Sequence, residues 1–173
     1  MGPSFSFCIT QLPHLQYCLI NWGNVKGDRN LGLRDKLLTL QKCLVRIVSG
    51  ADRLSHADPL FANLATLKVD DLFTQCVRVF SYKMSRGMLP GGMTAFFKKI
   101  DHGHATRGAR SNLFVDHSDS RSIRSIAPKY WNPLSPKLKQ SPSMASFKEM
   151  SKLDLWAPYG SSVCTARGCR LCA

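Results

Sequence analysis

The chain has no run approaching the roughly 18 consecutive apolar residues that a membrane-spanning helix needs, and its first residues lack the basic start of a secretory signal. The expectation is an intracellular protein, cytoplasmic or nuclear, with no membrane partner. Acidic residues are scarce: 11 Asp and Glu stand against 24 Lys and Arg, a formal net charge of +13. Such an excess on a small protein favours polyanionic partners, nucleic acid first and an anionic membrane surface second. The bland alternative is a basic soluble protein without such a partner. Met1-Gly2-Pro3-Ser4-Phe5-Ser6 fits the formal pattern for N-myristoylation at Gly2, but Pro3 is a poor second residue for it.

A complete metal-ligand set is also missing. Cys164-x4-Cys169-x2-Cys172 is the only metal-like spacing, and zinc wants a fourth Cys or His that does not follow. His102, His104 or His117 would have to supply it by tertiary contact, so a reduced thiol tail is the simpler reading and no cofactor is expected. The seven cysteines are odd in number, and Cys8, Cys18, Cys43 and Cys76 lie among apolar neighbours, where free Cys acts as a small hydrophobe. Reduced thiols agree with an intracellular setting.

Catalytic groups are equally sparse. His102-Gly103-His104 has no Glu nearby and no Ser or Cys in a nucleophile context. Asp70-Asp71 opens an apolar-periodic segment, where acidic residues satisfy free N–H groups and the helix dipole. A two-metal site would need a third carboxylate beside the pair. No catalytic residue is assigned.

What the chain does have is helical periodicity. At 173 residues it is long enough for one ordinary domain, burying roughly 70 % of its unfolded surface. Leu12, Leu15, Cys18, Leu19 and Trp22 recur at helical spacing, and Leu33, Leu37, Leu40, Leu44 and Ile47 form a second stripe that should pack inward, with Gly50 as its stop. The opposite face carries Arg34, Lys36, Lys42 and Arg46, a ridge for solvent or phosphate.

Asp58-Pro59 reads as the cap and first turn of a short helix through Leu64, and Asp70 as the cap of the next. Leu72, Phe73, Cys76, Val77, Phe80 and Met84 then span four turns before Gly87. A brief helix is predicted over 94–100. Asn112–Val115 and Ser122–Ile126 read as two short strands of a hairpin. Ser141 or Ser143 caps a last helix with Met144, Phe147 and Met150 on one side, and beyond Trp156 an extended C-terminal segment frays. The fold class is therefore mainly α, a small helical bundle with a short β-hairpin. Residues 1–10 are an unmatched start, 11–100 the helical region, 101–156 a basic loop, hairpin and turn, and 157–173 the Cys-containing tail.

Lys129-Tyr130-Trp131-Asn132-Pro133 has two readings. Tyr130 and Trp131 beside Lys129 suit stacking on a base. Trp131 suits equally a core plug, with Asn132 bonding backbone groups of the turn.

Trp131-Asn132-Pro133-Leu134-Ser135-Pro136 with Phe147-Lys148 resembles the closing signature of LINE-type non-LTR retrotransposon reverse transcriptases of the jockey and chicken-repeat kind. Upstream, the Leu12-Pro13 to Trp22-Gly23 segment, Leu40-Gln41-Lys42, Val45-Arg46-Ile47, His56 before Pro59-Leu60-Phe61, Tyr82-Lys83, Leu89-Pro90 and Thr106-Arg107 follow the family's order over about residues 11–150. In that family this region lies after the palm, in the thumb and beyond. The resemblance implies a non-catalytic C-terminal fragment of an RNA-directed DNA polymerase, without fingers, palm aspartates or endonuclease.

Its expected partner is RNA or an RNA–DNA hybrid, alongside the rest of a reverse transcriptase. Arg34, Lys42, Arg46, Lys98, Lys99, Arg107 and Arg110 are the expected phosphate contacts, with Trp131, Asn132 and Phe147 structural. The rival readings are a degenerate open reading frame whose helices expose a face once buried on the missing palm, and a small zinc-dependent interaction module.

Overall fold

A computed structural model of the chain describes residues 19–23, 31–95, 97, 112–115 and 122–160. Among them are eight α-helices and no strand, so the molecule is mainly helical, a small helical bundle. The helices are α1 (Leu19–Trp22), α2 (Leu31–Ser49), α3 (Ala57–Asn63), α4 (Val69–Ser85), α5 (Gly91–Thr94), α6 (Ile123–Trp131), α7 (Pro136–Lys139) and α8 (Met144–Trp156). A 3-10 turn over Ala157–Gly160 follows. The chain packs as two units, one of Met1–Phe73 with Leu153–Ala173 and one of Thr74–Lys152. The compositional change at residue 101 lies within the second.

In the first unit, α2 ends as expected at Gly50, whose φ of +62° is open to glycine at little cost. Gly50 N–H bonds Ile47 O and Ala51 N–H bonds Arg46 O, which satisfies two of the helix's last carbonyls. The inward leucine stripe is corrected: Leu40 and Ile47 are 65% and 76% exposed, and Gln41 and Val45 are buried instead. The cause is a polar contact. Gln41 Nε2 donates to Leu67 O at 2.8 Å and its Oε1 accepts from Val69 N–H at 2.9 Å, so its amide closes the start of α4. That bond pair fixes how α2 is turned.

The cap of α3 is His56, not Asp58: its Nδ1 accepts from Asp58 N–H at 3.4 Å, and Asp58 sits in the first turn. Phe61 and Val45 pack together with Ala57 and half-buried Leu60, Leu64 and Tyr159. Asp70 is likewise inside the first turn of α4 and not its cap. The free N–H groups there are met from afar, by Gln41 and by Tyr159, whose hydroxyl accepts from Lys68 N–H at 2.9 Å. The tail expected to fray after Trp156 is thus ordered through its 3-10 turn, with the Tyr159 ring edge-on to Phe61 at 6.5 Å.

The second unit takes α4 from Thr74 onward. The helix stops at Gly87, φ +67°, with Gly87 N–H on Met84 O and Met88 N–H on Lys83 O. Helix α5 lies before the helix expected over 94–100 and shares only Thr94 with it; Ala95 and Phe97 are not helical, and residues 96 and 98–100 lie outside the described residues. The hairpin is also corrected, because its second strand is the first half of α6. Ser122 caps that helix through Arg124 N–H, and Ile123, Ile126, Ala127, Tyr130 and Trp131 follow a helical period that a window ending at residue 126 cuts short.

Of the two serines considered for α8, Ser143 caps it, accepting from Ser146 N–H at 3.1 Å. Ser141 is buried, and its carbonyl accepts from the Tyr82 hydroxyl and from Arg86, each at 2.8 Å. Tyr82, Met84, Leu113, Trp131, Leu134, Leu138 and Phe147 form the core of this unit. Tyr82 stacks on Phe147 at 4.4 Å between ring centroids, and Trp131 tilts against Phe147 at 6.3 Å. These are separations at which aromatic pairs attract beyond simple area burial.

Candidate nucleic-acid interface

Of the seven residues expected to contact phosphate, Lys98, Lys99, Arg107 and Arg110 lie outside the described residues. Arg34 falls in the first turn of α2. Lys42 is half-buried further along the same helix. Arg46 is half-buried too, and its Nε donates to Ser55 O at 2.8 Å, tying down the loop that follows α2. That bond leaves the rest of its guanidinium for other partners.

Charge is divided unevenly between the units. By sequence the first carries 10 Lys and Arg against 7 Asp and Glu, a net +3, and the second 14 against 4, a net +10. Among the described residues of the second unit, Glu149 is the single acid, set against Arg78, Lys83, Arg86, Arg124, Lys129, Lys137, Lys139, Lys148 and Lys152. Arg86, Arg124, Lys129, Lys137 and Lys148 are exposed. In the first unit Lys68 Nζ meets Asp58 at 2.9 Å and lies 4.9 Å from the centre of the Tyr159 ring.

The Trp131 turn is built around side chains that act on backbone. Trp131 is 2% exposed, which leaves no face for stacking on a base. Asn132 Oδ1 accepts from Leu113 N–H and its Nδ2 donates to Leu113 O, both at 2.9 Å, so its amide takes the place of a neighbouring strand for the segment 112–115. Lys139 Nζ donates to Asn132 O and to Asn112 Oδ1, each at 3.0 Å, and lies 5.8 Å from the Trp131 ring centre. Burial pulls its ammonium below the ordinary lysine range. Phe147 is fully buried beneath the turn.

No group of three or more His, Cys, Asp or Glu side chains able to hold a metal occurs among the described residues. Asp70 and Asp71 both lie in the first turn of α4; Asp70 is exposed, and Asp71 accepts a hydrogen bond from the Tyr159 hydroxyl. Burial and the bond to Asp71 push the Tyr159 phenol well above its usual range. Cys164, Cys169 and Cys172 lie outside the described residues, as do His102, His104 and His117. Among the described residues no helix is long and apolar enough to cross a membrane.

No family model, curated protein or solved structure matches the chain. Two residues with clear roles, Gln41 and Lys139, were not foreseen from the sequence. Both look like surface residues by type, and the only signal for either was a polar residue breaking an apolar face in α2. Phe114 was not foreseen either; it is 55% exposed on the segment that Asn132 holds.

Proposed function

We propose that the chain is the non-catalytic C-terminal, post-palm part of a LINE-type reverse transcriptase, binding RNA or an RNA–DNA hybrid through phosphate contacts without sequence preference. The ordered series of motifs from about residue 11 to 150 supports the ancestry. The observation that carries the binding reading is the concentration of charge: a net +10 in the second unit beside +3 in the first. Phosphates neutralised by Lys and Arg release counterions, which makes such binding steeply salt-dependent. Four of the seven expected contacts, Lys98, Lys99, Arg107 and Arg110, belong by sequence to the more basic unit.

The test is a titration of a labelled RNA–DNA hybrid with the full chain across a salt series. Affinity falling linearly with log salt supports the proposal. An interaction that is absent, or indifferent to salt, contradicts it. A second reading draws on the exposed Leu40 and Ile47 of α2: a degenerate open reading frame whose helix face once packed on a missing palm. Poor solubility and melting without cooperativity would favour that reading.

A further inference from the structure

We infer that Phe114 is a stacking platform for an unpaired base, held in place by the Asn132 clamp in the more basic of the two units. This rests on the nucleic-acid reading above and adds to it a class of ligand, the single strand.

Segment 112–115 has no helix of its own, and what orients it is one amide. Because Asn132 bonds both the N–H and the C=O of Leu113, the segment cannot roll. Leu113 is then driven into the core at 3% exposure, and the next side chain, alternating as in a strand, points away. Phe114 is 55% exposed in consequence. An exposed Phe offers no hydrogen bond to water and loses hydrophobic stabilisation unless something covers it.

The surroundings identify the cover. Asn112, two residues before Phe114, holds the ammonium of Lys139, and the exposed Lys129 and Lys137 flank the Asn132 turn in sequence. With a net +10 in this unit by sequence, Asp116 and Asp119 included, an acidic phosphodiester backbone is the complementary ligand. An aromatic face beside lysines is the arrangement by which proteins hold single strands, base on ring and phosphate on ammonium. A blunt duplex keeps its bases stacked on one another and presents none to Phe114. Trp131 and Tyr82, larger aromatics of the same unit, are buried, and Tyr130, which the sequence also offered for stacking, is half-buried, so Phe114 is the most exposed aromatic ring among the unit's described residues.

The experiment compares wild type, Phe114→Ala and Phe114→Trp as full chains, binding a labelled 12-nucleotide single strand and a blunt hybrid duplex of the same length. Leu153→Ala, which removes another exposed hydrophobic side chain, serves as the control. Stacking predicts that Phe114→Ala weakens single-strand binding roughly 5- to 150-fold. Phe114→Trp should retain it, and duplex affinity and melting temperature should stay unchanged.

Equal weakening on both ligands, or none on the single strand, overturns the platform while leaving phosphate binding intact. Wild type that binds neither ligand overturns the platform together with the reading beneath it. A Phe114→Ala chain that changes its sedimentation from dimer to monomer assigns the side chain to self-association and overturns the inference.

Discussion

The two units solve the same problem, closing a small helical core, with different chemistry. The first uses polar side chains as pegs: Gln41 and Tyr159 satisfy the start of α4, and Asp58 and Asp71 pair with Lys68 and Tyr159. The second adds a stack of aromatics, Tyr82, Phe147 and Trp131, to polar clamps of its own, Asn132 on Leu113 and Tyr82 on Ser141, and leaves Arg86, Arg124, Lys129, Lys137 and Lys148 exposed. The difference teaches that the overall +13 is unevenly divided, a net +3 in the first unit and +10 in the second by sequence.

The deepest cut into this contrast is Trp131→Ala. It removes a large buried ring from the second unit and should cost about 3–5 kcal/mol in denaturant melts; a cost under about 1 kcal/mol would mean the aromatic stack does not hold that unit. Gln41→Ala, the matching cut in the first unit, leaves Leu67 O and Val69 N–H without their partner, at about 1–3 kcal/mol. Asn132→Ala should fall at the lower end of that range, because water reaches the half-buried clamp. If Asn132 proved the costlier of the two amides, the clamp on Leu113 would hold its unit more firmly than the Gln41 peg holds the first.

Alkali separates the units in sign. The Tyr159 phenol is raised by burial and then by its bond to Asp71, so the folded chain keeps a proton that the unfolded chain gives up. That contribution is complete below pH 10.0, the ordinary value, and is lost as pH rises above it. Lys139 runs the other way: burial lowers it, so its contribution is full above the ordinary 10.5 and shrinks as pH falls through the lowered value. Tyr159→Phe should flatten the alkaline decline in melting temperature, and Lys139→Met should steepen it. Smallest of all, Leu40→Lys and Ile47→Lys should stay within about 0.5 kcal/mol of wild type, as exposed positions do; a destabilisation of several kcal/mol would return those side chains to a core.

Helix content was legible because 3.6-residue periodicity and glycine stops are local signals, and Gly50 and Gly87 end α2 and α4 where expected. The facing of α2 was not legible. Five leucine and isoleucine positions outweigh one glutamine in any count of apolar residues, yet the glutamine's two bonds run to backbone 26 and 28 residues away. Helix α6 is the clearest departure: Ser122–Ile126 reads as a strand from its β-branched isoleucines and the polar turn before it, yet Ile123 and Ile126 are already three apart, and Ala127, Tyr130 and Trp131 extend that helical period. Of the candidate site, the basic character and the burial of Trp131 could be foreseen; Asn132 is a correction, because its amide bonds the backbone of Leu113, 19 residues away, and not that of its own turn. Which unit holds the excess charge could not, because the division inside α4 depends on packing between residues far apart in sequence.

The central claim is that polyanion binding belongs to the second unit. Two triple variants of equal charge change test it: Lys129→Gln, Lys137→Gln and Lys148→Gln in that unit, and Lys26→Gln, Lys36→Gln and Arg53→Gln in the first. The slope of log affinity against log salt is measured for each on the same RNA–DNA hybrid. The first triple should make the slope shallower by about 0.9 for every phosphate that is no longer neutralised, with the second triple indistinguishable from wild type. Equal effects from both triples, or a larger effect from the first unit, would contradict the claim.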